Sequence, residues 1–324
     1  MAIHTGSGAE LQMGKESSYS TAVAGTHVIN FTSESINVKP DKVEEENLLA
    51  SVGPMAKDIM RINVDGSVNF VLRPEFAGFI IKSAMGGTDT VTQNSPVTGA
   101  HKHSVGLVAA NGTLPSYTMI VNRKVSTKKY SGVKVDSLTL DAKAGDFVKG
   151  SIIFKAKDET AGTTASLAAL ALKSFKTIGA TFVMGATTYN INNASFNLSN
   201  NLITLDQDYS TGLYSPEPLH SRREATINFD IPYDTNIDTL KDTNLLTDVL
   251  IGSVVLTLVS PSMITGTTPY KVVITMNNVA ITDISHNVSG ANSIIGAKVS
   301  GVALSIGSTA PVVVEIYDAT STAY

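Results

Sequence analysis

The sequence predicts a mainly β protein, built as two tandem β-sandwich or barrel modules with one short α-helix in each. Three observations predict it. Val, Ile, Thr, Ser, Asn and Gly are plentiful and Trp is absent, a balance that suits strands and turns better than helices. From Ile62 to Leu72 the even positions Ile62, Val64, Val68, Phe70 and Leu72 are apolar and the odd ones mostly polar, which is the period of a half-buried strand. Landmarks of the first half also recur, in order, in the second.

At 324 residues the chain is long for one domain and comfortable for two. The reading divides it into an N-terminal arm (1–29), a first β-module (30–160), a linker (161–184) and a second β-module (185–324). The first landmark is "SINV" (Ser35–Val38), matched by "SFNL" (Ser195–Leu198). The second is "GSVNFVLRP" (Gly66–Pro74), matched by "EATINFDIP" (Glu224–Pro232), where Ala225, Ile227, Phe229 and Ile231 alternate with Thr226, Asn228 and Asp230. Between these landmarks lie Lys39–Lys57 in one copy and Asn200–His220 in the other, each read as a loop too long for a tight hairpin.

Next comes a helix in each copy. Pro74 stands at a first-turn position, Phe76, Phe79 and Ile80 share one face, and Gly86 is placed to stop it. After Pro232, Ile237, Leu240 and Leu245 have the same kind of spacing. The first copy then carries extra residues from about Gly86 to Pro115, rich in Gly, Thr, Ser and His, expected as a surface hairpin or loop. The third landmark is a flip of apolar phase. In "VKVDSLTL" Val133 and Val135 face one way, and Leu138 and Leu140 fall on the opposite parity; "ITMNNVAI" repeats this with Ile274 and Met276, then Val279 and Ile281. A β-bulge, or a strand passing between sheets, writes that pattern. In the linker the apolar run Ala165–Leu172 reads as a short helix, far too short to span a bilayer.

The net charge of −4 gives no basic footprint for nucleic acid and no polybasic membrane surface. The absence of cysteine removes disulfides, thiolate metal sites and cysteine nucleophiles. The first twenty residues lack a basic start followed by an apolar run, so no signal peptide is read and the chain is expected to be a soluble, cytoplasm-made protein. No catalytic signature stands out: there is no nucleophile elbow, phosphate loop or His-Glu-x-x-His. His101 and His103 would need further ligands to hold a metal and are read as part of a solvated loop. Asp206 and Asp208 lack the Gly and Glu of a calcium loop. No cofactor or metal is expected, and the chain is read as not an enzyme.

Four segments resemble the tail-tube (major tail) proteins of long-tailed bacteriophages. "GKESSYSTAVAG" (Gly14–Gly25) is similar to the family's opening, and "GSVNFVLRPEFAGFIIKSAMGG" (Gly66–Gly87) to its strand-then-helix segment. "YSGVKVDSLTLDAKAGDFVKGSIIFKAKD" (Tyr130–Asp158) resembles its glycine-marked hairpin, and "ASFNLSNNL" (Ala194–Leu202) the strand that opens its second half. The final hairpin, Asn287–Leu304, matches only loosely. The resemblance implies β-modules joined side by side into rings, with rings stacked into a hollow tube through which DNA passes without specific binding. It also implies a place in the virion tail, assembly in the host cytoplasm, and tail-tip, tail-terminator and tape-measure proteins as partners. Two modules per chain favour a trimer with pseudo-sixfold symmetry, with a hexamer as the alternative.

Long loops bearing apolar side chains usually need a partner. The expected contacts between rings or subunits are therefore Glu44, Glu45, Glu46, Leu48, Leu49 and Met55 in the first loop. In the second they are Leu213, Tyr214 and Leu219, with Arg222 and Arg223 beside them. Two other classes fit the composition. One is a different structural β-protein, such as a capsid decoration protein; the other is a carbohydrate-binding adhesin, which would want the exposed Trp platforms that this chain lacks.

Overall fold

The alternating stretches form strands, and the two stretches with helical spacing form helices. The computed structural model describes residues 5–45, 56–94, 97–204, 212–287 and 295–324. The first half runs β1 (Glu10–Lys15), β2 (His27–Ile29), β3 (Phe31–Glu44), β4 (Lys57–Val71), α1 (Pro74–Met85), β5 (Gly86–Gln93), β6 (His101–Leu107), β7 (Tyr117–Asn122), β8 (Thr127–Lys143), β9 (Lys149–Ala156) and β10 (Asp158–Ala161). The second half runs β11 (Lys176–Met184), β12 (Thr187–Tyr189), β13 (Asn193–Ser199), β14 (Leu202–Ile203), β15 (Leu219–His220), β16 (Glu224–Pro232), α2 (Thr235–Leu240), β17 (Ile251–Thr265), β18 (Thr268–Asn287), β19 (Gly296–Ala303) and β20 (Val312–Asp318).

All strand ladders are antiparallel, and one order of pairing occurs twice. In the first half β3 pairs with β4, β4 with β9 and β9 with β8. In the second half β13 pairs with β16, β16 with β19 and β19 with β18. The N-terminal part of β8 pairs with β7 and β10, and β7 continues through β1 to β2. Correspondingly, β18 pairs with β17 and β20, and β17 continues through β11 to β12. Two ladders join the halves: β8 with β13, and β6 with β20.

The long strands β8 and β18 each belong to two sets of strands. In β8 the register shift falls at the apolar phase flip, whereas in β18 it lies beyond the flip read between Met276 and Val279, at a further change of parity from Ile281 to Ile284. Register against β9 shifts between Val135 and Ser137, and register against β19 shifts between Ile281 and Asp283. Left-handed backbone lies close by, at Gly132 (φ 66) and Asn278 (φ 49). One extra residue on the bulged strand turns its side chains over, so both sets of strands receive apolar residues from a single strand.

The opening motif is built around this turn. The carboxylate of Glu16, nearly fully buried, accepts the Gly132 N–H at 2.9 Å, the Thr118 hydroxyl at 2.8 Å and the Ser20 N–H at 2.9 Å. The Tyr19 ring lies so close over Gly132 that a Cβ there would sit 2.9 Å from it. Residues 10–15, expected as part of an arm, are instead a sheet strand with Leu11 and Met13 fully buried.

Pro74 occupies the first turn of α1, where its missing N–H is not needed, and Gly86 in the left-handed conformation (φ 71) ends the helix. The helix is almost wholly buried, with Phe76 edge-on to Phe70 and Phe79 edge-on to Tyr117. The shorter α2 buries only Ile237 and Leu240; it starts at Asp234, whose side chain caps the N–H groups of Asn236 and Ile237.

Three further expectations need correction. First, the prolines of the second landmark are not equivalent. Ser35 lies opposite Ser67 and Ser195 opposite Asn228, so Pro74 corresponds to Thr235, while Pro232 is still in the sheet opposite Gly296. Second, Ala165–Leu172 forms no helix, and Lys176–Met184 is a strand. Side chains take the backbone groups that a helix would pair: Glu75 Oε1 accepts from Ala171 and Leu172, Arg73 donates to the Leu172 carbonyl, and Gln12 bonds both polar groups of Ala165. Third, the histidines of the insertion are not on a solvated loop. They lie on β6, where His103 is fully buried.

Candidate assembly surface

The segment expected as a loop from Lys39 to Lys57 is mostly strand. β3 and β4 remain paired out to Glu44 and Lys57, forming a two-stranded arm. The burial of β4 declines along it, from fully buried Val68 and Phe70 to exposed Ile59 and Met60. On the opposing strand Val38 and Val43 are exposed as well. Met60 is the extra residue of a bulge, since Asp41 faces Arg61 and Lys42 faces Ile59. A two-stranded ribbon with both faces in water is marginal by itself, so this arm is suited to a partner.

Glu44 is exposed and paired with Lys57 at 2.5 Å, and the Glu45 N–H donates to the Ala56 carbonyl at 3.0 Å. Glu46, Leu48, Leu49 and Met55 lie outside the described residues.

The second expected loop folds back on the root of the arm. The Ile62 N–H donates to the Leu213 carbonyl at 2.8 Å, and Ile62 and Tyr214 form a parallel bridge. Arg61 Nε donates to Ser215 Oγ at 3.0 Å, and Ser215 Oγ donates to Asn63 Oδ1 at 2.8 Å. Lys134, buried on β8, pairs with Glu217 at 2.6 Å. Tyr214 is half-buried against this root, whereas Leu213 and Leu219 remain half exposed. Leu219 stands opposite Ile203, also exposed, across the β14–β15 ladder.

Arg222 is exposed. Arg223 is not available to a partner: its guanidinium donates to the Val108 carbonyl inside the chain. Sequence reading did not single out Val38, Val43, Ile59, Met60 or Ile203. Val38 and Met60 lie on the apolar parity of their strands, so alternation alone gave no sign that they are exposed.

A second surface is the open face of the sheet that runs from β3 through the β8–β13 ladder to β18. Register places Ser33, Asn69, Ser151, Thr139, Asn197 and Thr226 in one row across six strands. The next row holds Lys149, Asp141, Ser195, Asn228, Ser300 and Asp283. Side chains bridge neighbouring strands, with Asn69 Nδ2 donating to Ser33 Oγ at 2.8 Å and Thr139 Oγ1 donating to Asn197 Oδ1 at 3.2 Å. The face is therefore hydroxyl- and amide-rich, and the charges in these two rows are Lys149, Asp141 and Asp283.

This sheet ends in two edges. Among the described residues, β3 pairs only with β4, and beyond Val279 the C-terminal part of β18 pairs only with β19. An open edge of main-chain donors and acceptors is a template for another strand.

A mainly β chain with a continuous polar sheet face, open edges and an exposed arm has the features of a self-assembling structural protein. A family model described as phage tail tube protein matches residues 6–258, and the chain belongs to that family. Comparison with curated proteins finds no match. The protein is thus a structural subunit of a phage tail tube, and its place is the virion tail. Among the described residues no helix is long and apolar enough to cross a membrane.

Proposed function

We propose that the chain consists of two tandem tail-tube modules and that copies join head to tail into rings, which stack as a conduit for DNA. The observation that carries this reading is the junction between β8 and β13. There the first half completes the second half's sheet edge with seven cross-strand pairs, from Ser137 opposite Ser199 to Lys143 opposite Asn193. The C-terminal part of β18 occupies the place of β8 in the repeated pairing order, and β3 occupies that of β13. The same junction between copies joins β18 of one to β3 of the next.

Transferring the register gives Asp283 opposite Lys39, Ile284 opposite Val38 and Ser285 opposite Asn37. Opposite charge meets opposite charge and apolar meets apolar, which are favourable cross-strand pairs. A heterologous junction of this kind closes into a ring when its rotation allows. With two modules per chain, three copies give pseudo-sixfold symmetry; six copies of the chain are the alternative.

The open face then lines the bore. Hydroxyls, amides and charges of both signs give passing phosphates no continuous cationic track, so little counterion release favours retention of DNA. The arm of β3 and β4, braced by residues 212–220, reaches the adjacent ring. Tail-tip, tail-terminator and tape-measure proteins bind the finished ends or fill the bore, and assembly takes place in the host cytoplasm.

The test is to express the chain alone and examine it by negative-stain electron microscopy, with light scattering for mass. Rings or hollow tubes with a mass of three chains per ring are the expected result. Six chains per ring would select the alternative. A monomer that stays inert after addition of a tail-tip complex would reject the assembly reading.

A further inference from the structure

The β5–β6 hairpin has no counterpart in the second half, yet it pairs with β20 from the end of that half. A buried ion cluster sits where they meet. His103 on β6 has no solvent exposure; its Nδ1 lies 2.9 Å from Asp89 Oδ2 on β5. Its Nε2 lies 3.2 Å from Asp318 Oδ1 on β20 and 2.9 Å from the Thr320 carbonyl. Both ring nitrogens thus face acceptors, and only the imidazolium can donate from both.

The segment 319–324 closes over this cluster without joining a strand. The Tyr324 N–H donates to Asp89 Oδ2 at 2.9 Å, its hydroxyl donates to Asp318 Oδ2, and its ring lies 4.8 Å from that of His103. The ring fills a seat on α1 at Gly78, where a Cβ would come within 2.1 Å of it. Lys15 on β1 donates to the Tyr324 main-chain oxygen at 3.0 Å.

We propose that the cluster is a proton-held latch: the charged imidazolium ties residues 319–324 to the hairpin and to the Gly78 seat, and loss of its proton frees that segment while the sheets stay intact. Without the proton, His103 retains one donor for two carboxylates, and Asp89 and Asp318 repel across a dry site. The element that yields is the one held by the fewest backbone hydrogen bonds, which is 319–324 rather than β6 or β20.

The other charged and titratable groups facing the site do not replace His103. Lys82 on α1 is committed to the Gly87 carbonyl, and burial lowers its pKa. Lys15 is bonded to Tyr324, and Glu75 on α1 accepts from Ala171 and Leu172. His27 on β2, which lines the same pocket as Tyr324, has its pKa lowered by burial. Tyr270 on β18 is held neutral by burial, with Asp318 and Glu75 acting in the same direction.

Burial pulls the His103 pKa down, but hydrogen bonds to Asp318 and Asp89 overcome this and hold it at about 9, above the ordinary 6.5. A raised value in the folded state means that the contribution is complete below about pH 6.5 and is lost as pH rises through about 9. The ionisation of Tyr324 is pushed well above its ordinary value by burial, so its ring does not titrate by itself in this window while the latch is closed.

The test uses the full-length chain labelled with carbon-13 at His Cε1 and in the Tyr rings, titrated by NMR from pH 6 to 10. Signals are assigned with His103→Gln and Tyr324→Phe. One imidazole is expected to titrate near pH 9, and the Tyr324 signals should move with the same midpoint while far-ultraviolet circular dichroism stays constant. In His103→Gln, Tyr324 should already stand at its high-pH position at pH 7. Tyr324 signals that stay fixed while His103 titrates would overturn the latch, as would an unshifted Tyr324 in His103→Gln. If that variant does not fold, the titration of the unsubstituted chain decides alone.

Discussion

At the residue scale, one carboxylate near the start of the chain governs a turn more than a hundred residues away. Glu16 accepts three hydrogen bonds from inside the protein, and its burial leaves no water to replace them. Glu16→Ala should lower stability by about 3 kcal/mol, since each lost bond to a charged group is worth roughly 1.5–3 kcal/mol and partners are left unsatisfied. The measurement is denaturant unfolding, with a lower midpoint at an unchanged slope. A loss below about 0.5 kcal/mol, the level of an ordinary surface substitution, would show that Glu16 does not hold the turn. The motif was legible as a string, but what it holds was not, because Gly132 and Thr118 reach Glu16 only through the fold. His103 was misread for a related reason. A Gly- and Thr-rich neighbourhood signals exposure, whereas its burial depends on β20, a strand from the far end of the chain.

At the element scale, local periodicity located the main strands and both helices, and it missed where a strand has no second layer beside it. The alternation of β4 stops being protective beyond Val64, and there the arm begins. Alternation also cannot detect a slip of two residues, since parity is preserved. The shared Asn-Phe (Asn69–Phe70 and Asn228–Phe229) is slipped by two in this way, and it carried with it Pro74 and Pro232, which are three residues out of step and mark a helix start and a strand end. Residues 165–172 have helical composition, but Glu75, Arg73 and Gln12 bind their backbone in extended form. For the arm, the combined substitution Val43→Ser, Ile59→Ser and Met60→Ser should change unfolding free energy little, by about 0.5 kcal/mol per site. These side chains are 53%, 40% and 52% exposed. Rings should still form and tubes should shorten or disappear in electron micrographs. Tubes of undiminished length would mean that the arm does not join adjacent rings.

At the scale of the whole molecule, the proposed junction between copies fixes a register, and the absence of cysteine makes that register directly testable. Thr139 lies opposite Asn197 inside the chain, and the proposed junction puts Ser285 opposite Asn37 between copies. Facing residues on antiparallel strands have Cβ atoms about 4.5–5.5 Å apart, close enough for a disulfide after small adjustment. Ser285→Cys with Asn37→Cys should therefore form intersubunit disulfides under mild oxidation, seen as a ladder on non-reducing gels. The ladder should end at three chains if the ring is a trimer and at six if it is a hexamer. Ser285→Cys with Ser33→Cys displaces one thiol by four residues, about 13 Å along a strand, and should remain uncross-linked. Equal cross-linking by both pairs would mean that the edges meet without fixed register, and cross-linking by the displaced pair alone would replace the transferred register with another. A ladder from the matched pair alone would show that the chain meets its neighbour as its first half meets its second.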